Sequence, residues 1–186
     1  MLRIAVLSCL AGCVIPFASP SARVEGGMAM QPGDTSRGMI RAGAHVVGNR
    51  LDSDATWDLG AGYVGTESNT MTPSSQGGYL EGAYLRRVGR SARIGIGPGV
   101  QLVDQGGRFA SIPYLRSSFE LFSSVHADGS SSAPCGTAAA TWRGQVGFGT
   151  FVDVQRPVEG GVAVVAGLSL RLPAFAGVAL VIPGCN

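Results

Sequence analysis

The chain is short of charge and contains no lysine. Charged residues make up 14% of its 186 residues, against about 25% in an average soluble protein. The net charge of +2 is small and its arginines are scattered, which argues against nucleic acid as a partner. Beyond the first residues, no apolar run is long enough for a transmembrane helix, so any part of the chain that crosses a membrane must do so as β-strands.

The sequence also has few residues of the kinds that carry chemistry. It contains two histidines and four cysteines, without C-x-x-C spacing, so neither a metal centre nor a thiol catalyst is predicted. His126, Asp128 and the serines 130–132 are close neighbours in a Gly- and Ser-rich stretch, which is typical of a solvated turn rather than a catalytic triad. The sequence therefore predicts a non-enzymatic protein without a cofactor.

The first residues form a targeting segment. Arg3 gives a positive start, a short apolar stretch follows, and Leu10-Ala11-Gly12-Cys13 ends it. This pattern resembles a bacterial lipoprotein signal. The resemblance implies that residues 1–12 are a signal peptide that is removed, that Cys13 is lipidated, and, because Val14 is not acidic, that the protein is sorted to the outer membrane. The alternative is an ordinary secretory signal that is cut near residues 18–22.

Export also decides how the remaining cysteines are interpreted. Cys9 leaves with the signal and Cys13 carries the lipid, which leaves Cys135 and Cys185 as a candidate disulfide in an oxidising compartment. Residues 13–37 contain Pro, Ser, Gly and Met without a period and are predicted to be a flexible tether. The folded domain is predicted at 38–186.

From Gly38 onward, apolar and small or polar residues alternate. Trp57, Leu59, Ala61 and Tyr63 fall on one face and the residues between them on the other, which is typical of a β-strand. The same pattern, with Gly-, Asp-, Asn- or Pro-rich turns between, predicts strands near 38–48, 56–66, 78–88, 92–103, 108–123, 140–154, 161–172 and 174–183. The predicted fold is an all-β, antiparallel, up-and-down barrel of about eight strands.

By this pattern, residues 38–183 resemble the small eight-stranded outer-membrane β-barrels. The resemblance implies that the apolar faces contact lipid and that the other faces point into the lumen. Charged residues on the lumen face must pair, because an unpaired buried ion is costly. The predicted network consists of Arg41, Asp58, Glu81, Arg93, Arg143, Asp153 and Arg171. Alternatively, these charges lie on the solvated outside of a soluble barrel.

Two local features conflict with a regular barrel. Pro98 and Pro113 fall inside predicted strands, so a bulge or poor pairing is expected between those strands. If the chain turns back at residues 172–174, Cys135 and Cys185 lie at opposite ends of the barrel, whereas a disulfide needs Cα atoms within about 7 Å.

Two classes of function fit these observations. The first is a lipid-anchored outer-membrane barrel with a structural or surface-contact role, in which a loop such as 123–139 makes the contacts. The second is a soluble periplasmic barrel, like a lipocalin in shape, that is tethered at Cys13 and binds an apolar ligand. In the first, charged side chains line the lumen; in the second, they lie outside and apolar side chains line a cavity.

Overall fold

The computed structural model consists of nine β-strands. It describes residues 18–33, 36–48, 54–68, 74–133, 136–157, 161–173 and 176–183. Within these ranges, only the backbone is described for residues 18–19, 124–133, 136–144 and 176–183. The strands are β1 Ala18–Met30, β2 Arg37–Gly48, β3 Ala55–Thr66, β4 Ser75–Arg87, β5 Ala92–Gln105, β6 Arg108–Ala133, β7 Gly136–Gln155, β8 Ala163–Pro173 and β9 Ala176–Pro183. Among those residues, none forms a helix long and apolar enough to cross a bilayer.

Strands β1 to β8 close into an antiparallel barrel. Each strand pairs with the next along the chain, and β8 pairs back with β1 to complete the circle. The all-β, eight-stranded barrel predicted from the sequence is therefore confirmed. The shortest barrel strand, β8, has 11 residues, which matches the roughly 9–11 residues of a tilted strand that crosses a membrane.

The first strand lies in the segment that was predicted to be a tether. Within residues 13–37, β1 pairs with β2 from Ala18 opposite Gly48 onward and with β8 from Ser21 opposite Pro173 onward. The tether prediction is wrong for this strand. Buried and exposed side chains alternate along β1, with Arg23 and Glu25 inside and Val24 outside, but three small residues in its second half weaken the apolar signal.

The last strand does not turn back, contrary to the sequence prediction. Both β8 and β9 run antiparallel to β7, and their registers differ by one residue: Gly147 lies opposite Arg171, and Arg143 lies opposite Ala176. Thus β9 continues β8 along β7 after an irregular step at Pro173, where a proline cannot donate to the ladder. The barrel keeps eight strands because β1 takes the place predicted for β9.

Beyond the barrel, three strands form an open sheet that we call the extension, comprising residues 123–133, 136–144 and 176–183. Here β6 and β7 continue as a paired hairpin as far as Ala133 opposite Gly136, and β9 pairs with the other side of β7. The pairing of β5 with β6 stops at Leu121, so the extension rises above the barrel on β6, β7 and β9 alone.

The two prolines affect the sheet less than predicted. The pairing of β5 with β6 has one continuous register through Pro98 and Pro113, so the bulge expected between these strands is not present. The interruption lies instead between β4 and β5, where Gly82 and Ala83 are not part of the ladder. The residues before and after them pair with β5 in the same register. Pro98 is on the strand segment facing this gap, and its missing N–H explains the interruption.

The barrel has two different ends. One end, which we call the turn end, contains the turns after β1, β3, β5 and β7. The opposite end, which we call the extension end, contains the start of β1 and the extension. Near the turn end the interior contains a buried apolar cluster, which consists of Ala29, Met39, Val64, Tyr79, Val103, Phe151 and Val165. The charged side chains occupy the middle of the barrel and the side toward the extension.

If β1 is a barrel strand, trypsin should not cleave the folded protein after Arg23, because that side chain is buried and its backbone is paired on both sides. Cleavage after Arg90, which is exposed in the turn between β4 and β5, serves as the control. Mass spectrometry of limited digests reads both sites, and the unfolded protein should be cut at each. Rapid cleavage at Arg23 in the folded protein would show that this segment is a tether after all.

Candidate functional site

Among the described residues, the barrel interior buries five arginines and five carboxylates. Every one of these side chains belongs to a residue that is at most 9% exposed. They occupy alternate positions of their strands, where the side chains of a narrow barrel point inward. The ten residues are Arg23, Arg41, Arg93, Arg116, Arg171, Glu25, Asp58, Glu81, Glu120 and Asp153. Opposite charges are thus present in equal number.

Arg116 on β6 is the centre of this network. Its Nη1 and Nη2 lie 2.7 and 2.8 Å from the two carboxylate oxygens of Glu25 on β1, a bidentate pair. Its Nε donates to Asp153 Oδ1 at 2.8 Å, and Nη1 lies 3.1 Å from Glu81 Oε2. The guanidinium also lies 4.6 Å from the ring centre of Phe151. One cation therefore joins four strands of the barrel: β1, β4, β6 and β7.

Arg171 and Arg93 extend the network toward the extension end. Arg171 donates from Nη2 to Asp58 Oδ2 at 2.6 Å, from Nε to Glu120 Oε1 at 2.9 Å, and from Nη1 to Ser21 at 2.8 Å. Arg93 donates from Nε and Nη2 to the other oxygen of Glu120, at 3.0 and 2.9 Å. Glu120 is therefore shared by two arginines, which links β5, β6 and β8.

Arg23 joins the two halves of the network. Its Nε lies 3.0 Å from Glu25, its Nη1 lies 3.3 Å from Asp58, and its Nη2 contacts Glu81. Since Asp58 also binds Arg171, and Glu25 also binds Arg116, the ten ions form one connected set. A buried ion pair contributes to stability only when further hydrogen bonds satisfy both partners, as they do here for the carboxylates.

Aromatic and imidazole groups fill the space around these ions. Arg41 pairs with Asp153 at 2.6 Å, and its guanidinium carbon lies 4.6 Å from the ring centre of Tyr114. Its Nε and Nη2 have no hydrogen-bond partner among the described residues, and the face of the ring offsets part of that cost. His45 bridges Asp58 and Tyr79, with 3.0 Å from Nδ1 to the carboxylate and 3.0 Å from Nε2 to the hydroxyl.

Glycines make room for these large side chains. A Cβ at Gly60 would overlap the ring of His45, a Cβ at Gly99 would overlap the ring of Tyr114, and a Cβ at Gly147 would overlap the carboxylate of Glu120. An eight-stranded barrel is just wide enough for its side chains to fill the interior. Inward-facing glycines on neighbouring strands therefore leave the volume that these large side chains occupy.

The structure places six of the seven charges named from the sequence in this interior: Arg41, Asp58, Glu81, Arg93, Asp153 and Arg171. The backbone of Arg143 lies in the extension, opposite His126 and Ala176, beyond the closed barrel. Its side chain lies outside the described residues, as do Cys13, Cys135 and Cys185. The side chains of His126 and Asp128 are likewise not described.

Sequence reasoning missed four charged members of the network. Arg23 and Glu25 were overlooked because they fell in the segment predicted to be a tether. Arg116 and Glu120 were overlooked although they share one face of a predicted strand, four residues apart, with Ser118 between them. That even spacing was the available signal.

The interior of the barrel is occluded and electrically balanced. The arginines and carboxylates neutralise one another, and the apolar cluster lies beneath them at the turn end. Among the described residues, no group of three His, Cys, Asp or Glu side chains is arranged to hold a metal ion. The ion pairs of this network connect strands on different sides of the barrel.

Replacing Arg116 with leucine should destabilise the barrel strongly, because Glu25, Glu81 and Asp153 would each lose a cation in a buried site. The expected loss in the free energy of unfolding is about 3–5 kcal/mol. Arg156→Leu is the matched control, since Arg156 is exposed, and should change stability by less than about 0.5 kcal/mol. Urea titration of the refolded protein measures both. Similar midpoints for the two variants would contradict a structural role for the network.

Comparison with known proteins adds no relative to this picture. No protein-family model matches the chain. Neither a curated protein nor a solved structure shows significant similarity to it.

Proposed function

We propose that this protein is an integral β-barrel of the bacterial outer membrane, anchored in addition by a lipid on Cys13, with a structural or surface-contact role and no enzymatic activity. The observation that carries the proposal is the distribution of side chains across the barrel wall. Ions fill the interior, while the outward positions are apolar. This is the reverse of the arrangement in a soluble protein.

The outer surface is apolar over the full height of the barrel. Among the described residues of its eight strands, the outward positions carry two charged side chains, Arg86 and Asp104, each next to the last residue of its strand. Between these ends the exposed residues include Val24, Ile40, Leu59, Leu80, Ile96, Leu115, Phe148, Val152 and Leu168. So large a continuous apolar surface in water would promote aggregation, whereas in lipid it is the expected solvent-facing surface.

The soluble alternative fits the described interior poorly. A carrier of apolar ligands needs a cavity lined by apolar side chains and a charged exterior. Here the centre of the barrel is filled by Arg41, Arg116 and their partners, all at most 9% exposed. The same filling supports a barrel that does not conduct, because no continuous water-filled path passes a packed set of ion pairs.

Lipid anchoring at Cys13 accounts for the N-terminal pattern and remains part of the proposal. Buried acyl chains contribute about 0.8 kcal/mol per methylene, so several chains on one residue would hold the protein in the membrane without the barrel. Anchor and barrel can therefore be separated by experiment.

Removing the lipid tests insertion of the barrel. Cys13→Ala, with residues 1–12 replaced by a secretory signal that is cleaved before residue 13, should stay in the membrane pellet after alkaline carbonate extraction, because the apolar wall alone retains it. The unaltered chain is the control. Immunoblotting of pellet and supernatant gives the result, and release of most of the variant into the supernatant would leave the tethered soluble barrel as the better model.

We also propose that Cys135 and Cys185 form a disulfide. The geometric objection from the sequence disappears because β9 runs along β7: Gly136, which follows Cys135, lies opposite Pro183, two residues before Cys185. Two thiols give one disulfide, two protons and two electrons, which a periplasmic protein disulfide accepts. The bond would close a loop of about 50 residues and stabilise the fold by about 4 kcal/mol.

Peptide mapping without reduction tests this pair. A cross-linked species should join the peptide that contains Cys135 to the one that contains Cys185 and should disappear on reduction. Alkylation of the unfolded, unreduced protein measures free thiols directly, and neither of these cysteines should react. Two alkylated thiols at these positions would rule the bond out.

A further inference from the structure

The position of β1 fixes the end of the barrel that lies near the lipid. Ala18, the first residue of β1, pairs with Gly48 at the extension end. Cys13 precedes Ala18 by five residues, and an extended chain covers at most about 3.5 Å per residue, so this segment can span at most about 17 Å. The hydrocarbon core of a bilayer is about 30 Å thick. The segment is too short to cross it.

From this we infer that the extension end of the barrel faces the compartment in which Cys13 is acylated, so that the extension projects into the periplasm rather than from the cell surface. The inference rests on the proposed function, in particular on a lipid at Cys13 and an inserted barrel. The resemblance to a lipoprotein signal implies that the lipid is attached after export, on the periplasmic side. The acyl chains then enter the leaflet next to the extension end.

In this orientation, the contacts of the protein with other molecules lie on the periplasmic side of the membrane instead of the cell surface. The connections at the turn end, which faces outward, range from the two residues Gly106 and Gly107, with Asp104 accepting from the Gly107 N–H at 2.8 Å, to the eight residues 67–74. The extension is far larger, since its β6 segment of 11 residues spans roughly 35 Å along the strand. Contacts with other molecules are therefore expected on the periplasmic face, where the three strands of the extension lie.

The free edges of the extension indicate the kind of contact available there. Within the described residues, β6 has no neighbour on its outer side beyond Phe122, and β9 pairs with β7 alone. Edge strands offer unpaired backbone donors and acceptors.

Labelling of single cysteines with a membrane-impermeant maleimide tests the orientation. The background carries Cys135→Ser and Cys185→Ser and keeps Cys13 for the lipid. Ser68→Cys reports the turn end, Arg90→Cys the extension end, and Ser131→Cys the extension, opposite Ala138. Ile96→Cys, on the outward face at mid-height, reports insertion of the barrel. Intact cells are compared with cells whose outer membrane has been opened, and heat-dependent mobility on gels checks that each variant is folded.

We expect Ser68→Cys to react on intact cells at least fivefold more than Arg90→Cys and Ser131→Cys, which should react fully only once the outer membrane is opened. Equal or reversed labelling of the two ends would overturn the inference. Reaction of Ile96→Cys in opened cells would instead overturn insertion, so the two failures can be told apart.

A second measurement needs no substitution. Trypsin added to intact cells should cut after the exposed Arg108 at the turn end and leave the exposed Arg90 at the extension end uncut until the outer membrane is opened. The opposite order of cleavage would count against the orientation.

Discussion

Electrostatic neutrality of the barrel interior is the condition on which the rest of this structure depends. An ion removed from water is stable only beside an opposite charge and within reach of hydrogen-bond donors or acceptors. The barrel meets this condition collectively, because carboxylates such as Glu120 and Asp58 each serve two arginines. Within this network, β1 and β6 each carry one charge of each sign, whereas the other six strands each carry a single charge. The interior is therefore neutral only when the strands have come together.

The narrowness of the barrel makes that network compact. Eight strands leave an interior that side chains can just fill, and an arginine or tyrosine pointing inward takes the space of more than one average side chain. Glycine on the adjoining strand compensates, as at Gly60 beside His45 and Gly99 beside Tyr114. The high glycine content, 29 of 186 residues, is thus partly a consequence of filling a small lumen with large polar groups. It is not only a matter of turns.

Strand positions could be predicted from the sequence where alternation was strong and local. The predictions 38–48 and 56–66 differ from β2 and β3 by one residue at one end. The identity of the closing strand could not be predicted, because pairing of β1 with β8 joins segments over 130 residues apart and leaves no local trace. For the site, the alternation of residue types predicted which residues of each strand point inward. It did not predict which of them form ion pairs, because the contact of Arg116 with Glu25 depends on the circumference of the barrel.

If the barrel is inserted in a membrane, as proposed above, its closure and its insertion must be coupled. Each of the eight barrel strands carries at least one ion of the network, and a charge at the centre of a bilayer costs several kcal/mol when it has no partner. A single strand also exposes backbone hydrogen-bonding groups that lipid cannot satisfy. Both costs vanish together when β8 meets β1, because that step completes the ladder and brings Arg171 to Ser21 and Asp58. A partly inserted sheet is therefore unstable for two independent reasons, and the barrel is expected to close as it enters the membrane.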